Sequence, residues 1–324
     1  MMRPYTYATA SSVHEALEQA RDGSVYLAGG TTLVDLMKLE VVAPAHVVDI
    51  TAVPLRGIRA EAGSLFIGAM ERMADVAGHE LVAGPYPVLA EALLRSASPQ
   101  IRNMATIGGN LLQRTRCGYF RDPATPCNKR SPGSGCPAVE GHNRAHAILG
   151  TSDACVATHP SDLAVALTAL DARLSLRGPA GTRTLRLADF YRLPGGTPHL
   201  ENGLRPRELI TGVTVPALPW ARTSTYVKVR DRQSYEFALV SAAVAVHVMG
   251  GVIRDARVAA GGVGTRPWRL PVVERALKGR PMRLETFEAA VAQAADGARP
   301  LAGNAFKPAL LRRTIVRALV HLAG

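Results

Sequence analysis

Four cysteines, Cys117, Cys127, Cys136 and Cys155, are all the thiols of a 324-residue chain, and they fall within one stretch with the spacing C-x9-C-x8-C-x18-C. Four are too few for a disulfide scaffold in a chain of this length, and their clustering suggests ligands instead. The tight CxxC knuckle common in zinc sites is absent, and so is the low-potential ferredoxin run. The stretch carries Pro123, Pro126, Pro132, Gly133, Gly135 and Pro137. It cannot form a core of its own, and a metal centre would lend it order. Arg114, Arg116, Arg121, Lys129 and Arg130 surround the thiols, and positive charge favours thiolates and an anionic cluster. The residues leave three readings open: a four-iron cluster, a structural zinc, or cysteines that hold no metal. His142, His146 and His159 lie close in sequence, as further ligands or as plain polar surface.

Two glycine pairs supply the second chemistry. Ala28-Gly29-Gly30-Thr31-Thr32 lies between a short apolar run and helical spacing, and Thr106-Ile107-Gly108-Gly109-Asn110 follows a turn at Ser98 to Asn103. Glycine lets the backbone approach a phosphate, and free N–H groups at a helix start point at it. Neither pair is the GxGxxG of a dinucleotide fold or the lysine-bearing loop of a nucleotide triphosphatase. Either pair alone reads equally as a tight connection. Together, two N–H-rich turns suit the two halves of a pyrophosphate, as in FAD. Asp162, at the start of a helical stripe of Leu163, Leu167 and Leu170, reads as a helix cap or as a carboxylate bonded to such a cofactor.

The elements that must position these residues are legible from periodicity. Ser12-Val13-His14-Glu15 is a capping box before a helix, and Val25–27 and Val47–50 are short strands around Leu33, Leu36 and Met37, giving a small βαβ-like pattern. Strands are predicted at 65–69, at 174–176 and 184–187 around the Gly178 to Gly181 turn, and at 209–215, which ends at Pro216. The Pro216 to Pro219 segment reads as a boundary. Beyond it, strands at 226–229, 237–248 and 252–258, the last two joined at Gly250-Gly251, precede helices at 272–277, 284–295 and 307–322: an α+β unit.

Composition excludes several classes. Hydrophobic residues are 47% and charged residues 20%, ordinary for a globular chain long enough for two domains. Aromatics are 5%, too few to line a single-strand nucleic-acid groove. The formal charge of +12 is carried mostly by arginine, without a basic run interleaved with aromatics. It reads as solvated surface, or as a basic face for an acidic partner subunit or anionic cofactor. The first residues show no signal peptide, and the most apolar run, Phe237 to Ile253, is too broken to span a bilayer. The expectation is a protein without membrane insertion, cytoplasmic, or periplasmic by co-export with a partner.

The segments AGGTTLVDLMK, SPQIRNMATIGGN, PSDLAVAL, YVKVRDRQSYEFALVSAAVAV and GGVGTRPWR, in this order, resemble the FAD-binding medium subunit of the xanthine dehydrogenase and molybdenum hydroxylase family. The cysteine-bearing insertion is similar to that of three-subunit, periplasmic-type aldehyde oxidoreductases, whose FAD subunit carries a [4Fe-4S] cluster. The resemblance implies an α+β fold: a two-subdomain FAD-binding domain (PCMH-type) over 1–216, divided into 1–55 and 56–216 with the insertion at 114–156, then a smaller α+β C-terminal domain over 222–324. It implies that Tyr26, Leu27, Ala28, Gly29, Gly30, Thr31, Thr32 and Leu33 wrap the pyrophosphate. Thr106, Gly109 and Asn110 would form the second grip, Asp162 would bond the cofactor, Ile210 would contact its ring system, and Lys228 would reach the flavin, unless it is an exposed strand lysine. Cys117, Cys127, Cys136 and Cys155 would ligate the cluster. No substrate chemistry falls on this chain. A large molybdenum-cofactor subunit would oxidise the aldehyde, a small [2Fe-2S] subunit would relay electrons, and the flavin would pass them on within a heterotrimer.

Overall fold

The computed structural model describes residues 2–324, which build three sheets. Strands β1 (Thr6–Thr9), β2 (Val25–Leu27) and β3 (His46–Asp49) form a parallel sheet in the order β1-β3-β2. Parallel strands need crossover connections, and the helices Val13–Gln19 and Leu33–Lys38 supply them. Ser12 caps the first helix, its hydroxyl accepting from the Glu15 N–H at 3.1 Å. The return bond differs from the predicted box: Glu15 accepts from the N–H of Ser11 at 2.7 Å and from its hydroxyl, so the motif closes one residue earlier.

Strands β4 (Ile58–Glu61), β5 (Ser64–Gly68), β6 (Arg173–Gly178), β7 (Gly181–Arg186) and β8 (Leu209–Val215) form an antiparallel sheet in the order β4-β5-β8-β6-β7. The helices Met73–Gly78, Pro87–Leu94 and Asp162–Ala169 share its core. Every residue of Asp162–Ala169 is buried. A helix apolar all round must be packed all round, and this one packs against a further sheet and neighbouring helices while sharing the core of the second sheet.

The third sheet, β9 (Ser224–Val229), β10 (Val240–Met249), β11 (Val252–Gly261) and β12 (Trp268–Arg269), is antiparallel in the order β12-β11-β10-β9. Gly250 and Gly251 have φ of +58° and +72°, the conformation a two-residue hairpin turn demands. Successive residues of β10 face opposite sides. Val240, Ala242, Val244 and Val246 join a core with the helices Pro271–Leu277, Leu284–Ala290 and Lys307–Ala323, whereas Ala243 and Ala245 belong to the core around Asp162–Ala169. The sheet is thus buried on both faces, which explains its nearly continuous apolar run. Among the described residues no helix is long and apolar enough to cross a membrane.

Three local expectations change. Thr106–Asn110 is not a plain turn. Thr106 caps a short helix, Ile107–Leu111, accepting from the Gly109 N–H at 3.2 Å while Ile107 and Leu111 enter the core. Strand β10 begins at Val240 rather than at Phe237. The helix predicted to reach residue 295 stops at Ala290 and continues as turns.

The cysteine stretch contains one short helix, Gly118–Arg121, and is otherwise turns. Side chains bonded to backbone hold it. Arg130 donates to the carbonyls of Tyr119 (2.8 Å), Phe120 (2.6 Å) and Thr125. The Asn128 carboxamide accepts from the Gly135 N–H at 2.8 Å, and its Nδ2 donates to Ala154 O at 3.0 Å. Phe120 is fully buried against Leu36 and Val41, which anchors the stretch on the first sheet's side, while Ile148 and Leu149 join the C-terminal core. The stretch therefore bridges two units of the fold.

Candidate functional site: a basic cleft beside a cysteine cavity

The two glycine turns meet. A β-carbon on Gly29 would stand 2.0 Å from the Met104 carbonyl oxygen, so Ala28–Thr32 lies directly on the backbone that leads into Thr106. Gly30 has φ of +72°, open to glycine at little cost. Asn110 continues the contact: its Oδ1 accepts from the Ser161 hydroxyl at 2.6 Å, and that hydroxyl accepts from the Ala164 N–H at 3.0 Å, capping the helix that begins with Asp162. Three segments far apart in sequence are thereby fixed around one cleft of about 550 Å³.

Of the residues singled out from the sequence, Thr31, Thr32, Gly109, Asn110 and Asp162 line this cleft. Thr32 caps Leu33–Lys38 without a side-chain hydrogen bond to it. Gly29 and Gly30 form the turn beneath, after Leu27 at the end of β2 and the part-buried Ala28, and Thr106 is buried as a cap. Tyr26 points elsewhere, donating its hydroxyl to Arg207 O at 2.9 Å, and burial pushes its phenol up to about 12. Ile210 is buried in β8, paired with Leu176 in the sheet core, and is not among the cleft residues. Lys228 is not an exposed strand lysine. Its side chain is 1% exposed, and its ammonium donates to Asp162 Oδ2 at 2.8 Å and to Arg95 O at 3.0 Å. Asp162 also accepts from the Tyr226 hydroxyl at 2.6 Å and the Ser96 hydroxyl at 3.1 Å. Burial, reinforced by the Asp162 carboxylate, pushes the Tyr226 phenol far up, so it stays a donor. The carboxylate presented to the cleft is therefore held on three sides.

The cleft also contains charged groups whose place the sequence did not disclose. Asp35 accepts two bonds from Arg121, at 2.8 and 3.1 Å, and one from Arg116 at 3.1 Å. The Arg121 hydrogen bonds hold its carboxyl below the usual range against the opposing effect of burial. Two guanidiniums against one carboxylate leave a net positive charge at the cleft, and Arg116 Nε is buried with no hydrogen-bond partner. The segment Arg232 to Phe237 also lines the cleft, Phe237 lying under the Arg116 guanidinium at 5.2 Å, and Tyr235 and Phe237 remain exposed. Hydroxyls, an Asn carboxamide, a glycine N–H turn and surplus guanidinium charge suit a long, partly anionic ligand with polar and flat portions.

Arg116 lines the cleft, and the next residue, Cys117, lines a second, small cavity together with Cys127, Cys136, Cys155, Lys129 and His146. All four thiols are free. Backbone N–H groups of Tyr119 and Phe120 donate to Cys117 and that of Ala157 to Cys155. Burial pushes the Cys117 thiol up to about 11 and raises Cys155 as well, against the pull of Lys129. Among the described residues, no group of three or more His, Cys, Asp or Glu side chains is arranged to hold a metal ion. His146 and His159 are both pushed down by burial, to about 4 and about 3, so both are neutral. His159 stacks edge-on against Tyr191 at 4.3 Å, and His142 is exposed.

Residues 3–218 match the FAD binding domain in molybdopterin dehydrogenase, and residues 225–323 match the CO dehydrogenase flavoprotein C-terminal domain. The chain belongs to the FAD-binding medium subunits of the molybdenum hydroxylase family. It is 48% identical to the aldehyde oxidoreductase FAD-binding subunit PaoB of Escherichia coli (strain K12), over 99% of this chain and 98% of that protein. It is 29% identical to the glyceraldehyde dehydrogenase medium chain of Sulfolobus acidocaldarius, over 86% of this chain and 82% of that one. Among solved structures, the carbon monoxide dehydrogenase from Hydrogenophaga pseudoflava that lacks the Mo-pyranopterin moiety superposes with a TM-score of 0.75 at 28% identity, covering 99% of this chain and 97% of that one. The reconstituted CO dehydrogenase from Oligotropha carboxidovorans shares the fold, with a TM-score of 0.78 at 23% identity and coverage of 100% and 99%. The chain is an oxidoreductase subunit with an FAD-binding domain, and the molybdenum chemistry of the family lies outside it.

Proposed function

We propose that this chain carries FAD and a [4Fe-4S] cluster as the electron-transfer subunit of a molybdenum-dependent aldehyde oxidoreductase. Its partners would be a large molybdenum-cofactor subunit and a small [2Fe-2S] subunit. One observation carries the iron–sulfur half: all four thiols of the chain line a single cavity, and the residue before Cys117 lines the basic cleft. Four thiol donors with N–H groups at two of the sulfurs and cations around them suit an anionic cluster. A cluster also spreads its four ligands wider than a single ion does. The aldehyde assignment leans on the full-length likeness to PaoB.

Bound FAD would supply a carrier that takes up and releases electrons in pairs or singly. This chain's residues would hold it. Thr31 and Thr32 would grip the pyrophosphate against the wall formed by Gly109 and Asn110, Arg116 and Arg121 would offset its charge, and Asp162 would accept from a ribose or ring group. The alternatives are a structural zinc in the cysteine cavity, or a complex of the xanthine dehydrogenase or hydroxybenzoyl-CoA reductase kind.

Metal and flavin analysis of the purified complex distinguishes these. The expected content is one flavin and about four irons per chain of this type, beyond the iron of the [2Fe-2S] subunit. One zinc and no additional iron overturns the cluster. Cys127→Ser in the complex should lose that iron while retaining flavin, and full iron retention would show that Cys127 is not a ligand.

A further inference from the structure

Cys117 borders two cavities. It lines the cysteine cavity and also a hollow of about 260 Å³ whose wall includes Arg116 and Asp162, residues of the basic cleft. Its Sγ accepts from two backbone N–H groups and lies 3.1 Å from His146 Nε2. A thiolate sulfur has no proton to give, so with Cys117 ionised the imidazole is the donor.

His146 is held from behind. Its carbonyl accepts from Lys307 Nζ at 2.8 Å and from Asn304 Nδ2 at 3.2 Å. The Lys307 ammonium donates a second bond to Gly262 O at 2.6 Å. Lys307 is wholly buried, and among the described residues it makes no ion pair. Its partners are carbonyls alone, and burial pulls it down to about 7, with Arg144 adding to the effect. A buried cation without a counter-charge is costly. Gly262, whose carbonyl Lys307 also bonds, lines the same hollow as His146 and Cys117, so an anion bound at Cys117 would lie on the side of this cation.

We propose that His146 and Lys307 are positioning residues that raise the reduction potential of the iron–sulfur cluster, His146 by donating to the Cys117 sulfur and Lys307 as a buried cation behind it. This rests on the [4Fe-4S] reading above. Reduction adds one electron and one negative charge to the cluster, with no bond made or broken. A hydrogen-bond donor at a ligand sulfur and a nearby positive charge both favour the more negative state. The pair would therefore make the cluster easier to reduce at the side that faces the flavin cleft.

The test is a redox titration of the whole complex, followed by electron paramagnetic resonance for the cluster and by absorbance for the flavin. His146→Phe removes the donor and keeps a ring, His146→Gln restores a donor, and Lys307→Gln keeps amide donors and removes the charge. Iron and flavin are counted in each. The expected result is wild-type iron content, a lower cluster potential in His146→Phe and Lys307→Gln, partial recovery in His146→Gln, and an unchanged flavin potential. An unchanged cluster potential with full iron in His146→Phe and Lys307→Gln overturns the proposal and leaves the cluster reading standing. Absence of the additional iron from the wild-type complex overturns both.

Discussion

The Asp162–Lys228 pair shows how a single contact can serve fold and site together. Both side chains are buried, at 6% and 1% exposure, and the carboxylate faces the cleft while the ammonium lies behind it. Removing one partner strands the other charge in a low dielectric, which costs more than the pair contributes. Lys228→Met should lower the unfolding free energy by about 3–5 kcal/mol, measured by urea denaturation. A loss below 1 kcal/mol would mean that Tyr226 and Ser96 alone satisfy the carboxylate. The residue's type was readable as a candidate from its segment, but its partner was not. Asp162 is distant in sequence, and only the packing of the third sheet against the helix Asp162–Ala169 brings the two within 2.8 Å. The same holds for Arg116 and Arg121, whose common partner Asp35 sits on the helix Leu33–Lys38.

At the scale of elements, the cleft depends on how closely two turns approach. Gly29 has no room for a side chain, because the atom it would meet is the backbone oxygen of Met104, which cannot rotate away. Gly29→Ala must therefore separate the Ala28–Thr32 turn from the Ile107–Leu111 helix. The flavin should bind at least tenfold more weakly, about 1.4 kcal/mol, as followed by flavin fluorescence during titration of the stripped protein. Gly84→Ala is the control: its β-carbon would meet nothing within 4 Å, and its backbone has ordinary helical angles. Equal affinities of the two variants would detach Gly29 from the grip. The sequence disclosed both glycine pairs because they interrupt otherwise regular periodicity. It did not disclose that the second pair is helical, since the cap formed by Thr106 depends on Ile107 and Leu111 finding a core to enter.

For the whole molecule, the cleft is lined from the first sheet's loop, from the helical segments over the second sheet, from the cysteine stretch and from the loop between β9 and β10. A ligand seated there binds the folded chain and not the unfolded one. FAD at about a hundred times its dissociation constant should therefore stabilise the stripped chain by about 2.7 kcal/mol, raising the melting temperature in calorimetry. No shift would place the flavin elsewhere. The sequence alone determined the class of fold, the clustered thiols, the two glycine pairs and the strands of the C-terminal unit, because periodicity, turn chemistry and residue spacing are local. Tertiary structure alone decided that the turns touch at Gly29, that Lys228 serves Asp162, that Arg116 and Arg121 charge the cleft, and that His146 and Lys307 line up behind Cys117. Each of these joins residues from separate elements, and their distances are set by which faces the sheets and helices bury, a quantity no single segment carries.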